Sequence, residues 1–233
     1  MSAAPLVVAI DGPSGAGKST VARALADRLG VPYIDTGAMY RAVGLAVRDA
    51  GHALPLADPE AVARIAGAVR VELVPDPRGA RVLLDDRDVT VEIREPDISL
   101  YASAVSAIPA VRRRLVSEQQ RLGRMRGGVM EGRDIGTRVF PDAPFKFFLT
   151  APPAVRALRR ALELARRGRP EPYEKVLAEM ETRDRDDATR ADSPLTLDER
   201  YILVDTEGLT PEGVVERLAK RVAEGAPEAS PAG

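Results

Sequence analysis

The chain has 233 residues, enough to bury a sizeable core, and its 45% hydrophobic and 30% charged content is that of an ordinary globular protein. A formal net charge of −1 argues against a protein that coats nucleic acid, which needs a cationic field. The absence of cysteine excludes disulfides, zinc thiolates and cysteine nucleophiles, and the single histidine, His52, follows Gly51 in an apparent turn, which excludes nearly all histidine-dependent triads. No uncharged apolar run approaches the length of a membrane span and Met1 to Pro5 carries no basic side chain, so a cytoplasmic location without membrane contact is expected.

Leu6 to Asp11 is a short apolar run of the kind expected of a central parallel strand covered on both faces. Gly12-Pro13-Ser14-Gly15-Ala16-Gly17-Lys18-Ser19-Thr20 follows and fits the phosphate-binding loop pattern G-x-x-x-x-G-K-[ST]. Glycines let such a loop turn its amides inward around an anion, and the helix that follows adds the positive end of its dipole. Lys18 is expected to reach the outer phosphates of a nucleoside triphosphate and to face solvent without one. The Ser19 hydroxyl would ligate the accompanying Mg²⁺, and Thr20 would bond a further phosphate oxygen. Only four lysines occur in a chain that otherwise uses arginine, and one of them falls where the motif requires it.

Val21, Leu25 and Leu29 give the next helix an apolar stripe that Gly30 and Pro32 terminate. Tyr33 to Asp35 reads as a second strand, Thr36 to about Ala50 as a helix, and Asp58-Pro59-Glu60 as the capped start of another ending near Val69. Three β-like runs, Val69 to Val74, Ala80 to Leu84 and Asp88 to Ile93, then predict a small antiparallel sheet inserted into the α/β alternation. Helices are predicted over about Asp97 to Ala107 and Pro109 to Met125. Val129 to Asp134 reads as a third core strand ending in a charged loop, and Phe145 to Thr150 as a fourth. An arginine-rich helix from Pro152 to about Arg167, a helix from Pro172 to about Arg185, a last strand at Tyr201 to Asp205 and a helix capped by Thr210 complete the chain.

A phosphate-binding loop alone does not distinguish a kinase from a switch protein or a motor. No Asn/Thr-Lys-x-Asp element for reading guanine is present, nor an apolar strand ending in Asp-Glu with motor assembly motifs. What remains is a set of arginines near the expected mouth of the sheet: Arg41, Arg112, Arg133, Arg159, Arg160, Arg183 and Arg190. Phosphoryl transfer between two nucleotides calls for such a set, because arginine forks match the charge spread over the moving group and hold two polyanions together.

Ile10 to Thr20, Asp35 to Arg41, Gly132 to Thr137, Phe140-Pro141-Asp142-Ala143 and the run Arg183-Asp184-x-x-Asp187-x-x-Arg190 resemble bacterial cytidylate kinases in the same order and over nearly the whole chain. The resemblance implies an α/β fold of the P-loop NTPase type, a five-stranded parallel sheet flanked by helices, with a small antiparallel β insertion and a short helical lid. Core segments would be 1–36, 128–152 and 173–224, with the monophosphate-binding region at 37–127, its β insertion at about 69–93, the lid at 153–172 and a disordered tail at 225–233. It implies transfer of the ATP γ-phosphoryl group to CMP or dCMP with Mg²⁺, by a monomer with no nucleic-acid partner. Thr36, Tyr40 and Arg41 would line the monophosphate site, while Ser103, Arg112 and Asp187 would read cytosine, with the adjacent Asp186 as the other carboxylate open to that role. Arg133 and Asp134 would hold sugar and phosphate, Arg183 and Arg190 would approach the transferred group, and Arg159 and Arg160 would close over ATP. Ala188 stands where the family commonly has serine and Arg138 where it commonly has an apolar residue. The other readings are a P-loop kinase for UMP or a hydroxylated metabolite, and a non-catalytic ATP-gated binding protein.

Overall fold

The computed structural model describes residues 5–76 and 79–225. Beyond Gly225, the tail expected to be disordered lies outside them. Five strands, β1 (Val7–Asp11), β2 (Tyr33–Asp35), β6 (Gly128–Glu131), β7 (Phe145–Thr150) and β8 (Ile202–Asp205), form an all-parallel sheet in the order β2-β6-β1-β7-β8. The apolar run of β1 is buried along its whole length because β6 and β7 flank it and helices cover both faces.

On one face α1 (Lys18–Leu29) and α8 (Pro211–Ala223) place Leu25 and Leu218 against Val8, Ile10 and Val204. On the other, α2 (Thr36–Asp49), α3 (Pro59–Ala68) and α5 (Pro109–Arg126) pack Met39, Val62 and Leu115 against Val7, Ala9 and Met130. Asp58 caps α3 through its side chain and Thr210 caps α8, each followed by proline at the first helical position, as read from the sequence. Among the described residues no helix is long and apolar enough to cross a membrane.

The inserted sheet is antiparallel, β3 (Val71–Asp76), β4 (Gly79–Leu84) and β5 (Arg87–Asp88), but its third strand is much shorter than the run Asp88 to Ile93 predicts. The Thr90 hydroxyl accepts from the Val82 amide, so a side chain takes over the ladder there. The backbone then turns into a single 3₁₀ turn, Glu92–Arg94, that buries Ile93.

After this turn comes α4 (Pro96–Ser106). Further on, α6 (Pro153–Arg166) and α7 (Tyr173–Thr189) pack on each other through Ala157, Leu164, Val176 and Met180, a cluster separate from the main core. The α7 helix continues one turn beyond the expected Arg185, since no proline or glycine interrupts it, and that extra turn carries Asp187.

Candidate functional site

The C-terminal ends of β2, β6 and β1 lie level, with Asp35 opposite Glu131 and Glu131 opposite Ile10, so the segments that follow these strands converge on one edge of the sheet. At Gly12 (φ +143°) a Cβ would lie 2.0 Å from the Leu149 carbonyl oxygen, so only glycine fits. Gly15 (φ +74°) is pressed against Met180 and Arg156, where a Cβ would meet Met180 Cε at 2.8 Å. The first turn of α1 has neither a side-chain cap nor an acidic residue, which leaves its amides to an anion.

Lys18 is only 7% exposed, contrary to the expected solvent-facing position, and its Nζ donates to the Pro13 carbonyl at 2.7 Å. The reason is non-local: Glu131, Arg133 and Arg183 surround it. Burial, joined by the charges of Arg133 and Arg183, pulls its pKa down to about 7, against the attraction of Glu131. A polyanion bound beside it would restore the cation. If that polyanion is ATP, its binding at pH 8 is expected to take up about 1 proton. Titration calorimetry in buffers of different ionisation enthalpy checks this, and a heat independent of buffer would contradict it.

The two arginines beside Lys18 stand in different states. Arg133 donates from Nε to Asp187 Oδ2 at 2.8 Å, and that carboxylate outweighs burial and holds the guanidinium pKa above its ordinary value. Asp187 also receives Arg190 at 3.2 Å, and despite burial its cationic neighbours keep its pKa below the ordinary value. Arg183 Nε has no hydrogen-bond partner, and burial followed by repulsion from Arg133 lowers its pKa to about 10, with Arg41 and Arg160 contributing. Asp186 is exposed while Asp187 is buried, so of the two adjacent carboxylates only Asp187 enters the site.

A second pair lies deeper. Arg112, 2% exposed, donates to Asp134 and to the Ser106 carbonyl at 3.3 Å, and its guanidinium carbon sits 5.5 Å from the Tyr40 ring centroid. The carboxylate partner of Arg112 is thus Asp134, and Asp187 belongs to Arg133 and Arg190. Ser103 is half-buried on α4 near this pair, and its carbonyl accepts from Ser106 Oγ at 2.8 Å.

Several expected contacts are spoken for in this conformation. The Thr36 hydroxyl donates to the Glu131 carbonyl at 2.7 Å, and Arg41 pairs with Asp35 at 2.7 Å. Arg160 pairs with Glu163 at 2.9 Å. Arg159 is fastened to Thr206 by two hydrogen bonds, of 2.9 and 2.7 Å. Arg138 is exposed and lines, with Arg113 and Asp192, a cleft of about 300 Å³ on the outer side of Arg112.

Three residues were not singled out from sequence. Glu131 accepts from Ser19 Oγ at 2.9 Å and from the Tyr33 hydroxyl, and burial, then the nearby Asp35, raises its pKa. Asp11 accepts from the amides of Ile135 and Gly136 at 2.9 and 2.8 Å and from the Tyr201 hydroxyl at 2.7 Å, which anchors the loop carrying Arg133 and Asp134. Arg156 bonds the Ser14 carbonyl at 2.9 Å and Asp184 at 2.6 Å, tying α6 and α7 to the phosphate loop. A polar residue closing an apolar strand was the available signal for Glu131 and Asp11. Arg156 had none among so many arginines.

The phosphate loop, the cluster of Arg133 and Arg183, and Asp134 come from segments in which the sequence resembles one kinase family. The cytidylate kinase family model matches residues 8–224. The chain belongs to the cytidylate kinase family. A cytidylate kinase of Caldanaerobacter subterraneus subsp. tengcongensis is 50% identical over 92% of this chain and 93% of that one. A cytidylate kinase of Rhodococcus opacus is 48% identical over 96% of this chain and 97% of its own. Among solved structures, an uncharacterized protein from Eubacterium ventriosum shares the fold at a TM-score of 0.50 and 14% identity, covering 94% of this chain and 98% of its own. The family membership accounts for a feature that would otherwise be costly: buried cations gathered without enough carboxylates to balance them.

Proposed function

We propose that the chain transfers the γ-phosphoryl group of ATP to CMP or dCMP, giving ADP and the cytidine diphosphate. The observation that carries this reading is the pairing of an under-compensated cation cluster, Lys18, Arg133 and Arg183, with a buried Arg112–Asp134 pair beside it. The first suits a transferring phosphoryl group. The second suits cytosine, whose N4 amino group donates beside the N3 and O2 acceptors, so that Asp134 accepts and Arg112 donates along one edge.

The triphosphate is held by the amides of 12–17, by Lys18 and by Ser19 and Thr20, and Arg160 covers it from α6. Thr36, Tyr40 and Arg41 face the acceptor phosphate from α2. That phosphate, with a second pKa near 6, is largely dianionic at neutral pH, so no general base is needed and none is required of His52. As charge spreads over the moving group, Lys18, Arg133 and Arg183 meet it, while Asp187 keeps Arg133 and Arg190 aimed. Mg²⁺ bound with ATP would supply charge neutralisation at its phosphates. Ser19 Oγ and the Glu131 carboxylate, 2.9 Å apart, are hard oxygen donors of the kind it takes, and they would hold it.

We propose that the enzyme acts as a monomer, and the cysteine-free composition suits the reducing cytoplasm. A coupled assay for ADP release with CMP, dCMP, UMP and a hydroxylated acceptor tests the reading. CMP and dCMP are expected to turn over at least ~10-fold more efficiently than UMP. Preference for UMP or for the hydroxylated acceptor would overturn the acceptor assignment, and ADP release from none of them would overturn the kinase reading.

A further inference from the structure

Ser106, the last residue of α4, is 8% exposed and serves three site residues at once. The final turn of α4 tightens: the Ala107 amide bonds the Ala104 carbonyl at 3.2 Å, which leaves the Ser103 carbonyl without its usual donor. Ser106 Oγ supplies that donor at 2.8 Å. The same hydroxyl accepts from Arg190 Nη1 at 3.3 Å, and the Ser106 carbonyl, at the negative end of the helix, accepts from Arg112 Nη1 at 3.3 Å.

Two chains of contacts therefore meet at one residue, the first through its carbonyl and the second through its hydroxyl. One runs Ser106–Arg112–Asp134 to the base, and the other Ser106–Arg190–Asp187–Arg133 to the phosphoryl centre. We infer that Ser106 is a positioning residue that couples cytosine recognition to the arginine cluster by holding Arg190 against the monophosphate-binding part of the chain. The inference rests on the CMP-binding reading above. Its physical content is that the hydroxyl acts through Arg190. Burial of a small serine at a helix end would by itself predict no such dependence.

The test is a double-mutant cycle read as CMP dissociation constants by titration calorimetry. Ser106→Ala is expected to weaken CMP by about three- to tenfold in the wild-type background, the scale of one ordinary hydrogen bond, and by less than about twofold in an Arg190→Ala background. ATP affinity stays within about twofold in both, and Ser106→Thr, which keeps the hydroxyl, restores CMP affinity. If thermal scans show Arg190→Ala unfolded, Arg190→Lys, which lacks the second nitrogen of the fork, takes its place in the cycle. Equal weakening in both backgrounds, or unchanged affinity in Ser106→Ala, would overturn the inference. A wild type that fails to bind CMP overturns this and the acceptor assignment together, whereas additive losses on a CMP-binding wild type overturn only this one.

Discussion

Lys18→Ala is expected to leave the protein folded and to lower kcat by about 10³-fold, the scale of removing a preorganised charge from a developing anion in a water-poor site. The stability side follows from burial. Lys18 is 7% exposed and, among the described residues, has no carboxylate partner within ion-pair distance, only the Pro13 carbonyl and the more distant attraction of Glu131. Its folded pKa of about 7 lies below its unfolded value of 10.5, so between those values the unfolded state binds the proton more tightly and the residue costs stability, most of all at and below pH 7. That cost shrinks as the pH rises from about 7 towards 10.5. Replacing Lys18 removes it, and the thermal midpoint at pH 7 is expected to stay level or rise. Near-normal turnover in a variant of unchanged midpoint would take Lys18 out of the transfer step.

What could be read from the sequence was the local part. The phosphate loop, the capped helices and the first two strands of the inserted sheet depend on neighbours a few residues away, and they stand where the pattern placed them. The expectation of a solvent-facing Lys18 failed, and other site residues have partners the pattern did not show, because the deciding group lies far off in sequence. Lys18 is buried by Glu131, Arg133 and Arg183, Arg159 is fastened to Thr206, and Arg112 takes its carboxylate from Asp134, 22 residues on, while Asp187 reaches 54 residues back to Arg133. The shortened third strand is the reverse case, since Thr90 has the β propensity of its run but spends its hydroxyl on the ladder. Sheet order is likewise non-local, and it alone brings Glu131 beside Ser19 across 112 residues.

Asp134→Asn is expected to lower kcat/KM for CMP by about 100-fold, because the lost charge-assisted contacts to the cytosine amino group and to Arg112 each fall in the range of about 1.5–3 kcal/mol. UMP presents a carbonyl where CMP has the amino group, so in the wild type a buried carboxylate faces an oxygen, and in the variant an amide donates to it. Part of the loss will reflect Arg112, buried and left without a charged partner. A ratio of specificity constants is blind to the fraction folded, which makes it the cleaner quantity. Asp187→Asn, through its hold on Arg133 and Arg190, should depress both acceptors alike. The measurement is therefore the CMP-to-UMP ratio of kcat/KM in the wild type and these two variants: Asp134→Asn moves it towards UMP by about tenfold or more, the equivalent of about 1.4 kcal/mol, and Asp187→Asn leaves it within about twofold. A ratio that moves with Asp187 and holds with Asp134 would contradict the assignment of the base to the Arg112–Asp134 pair.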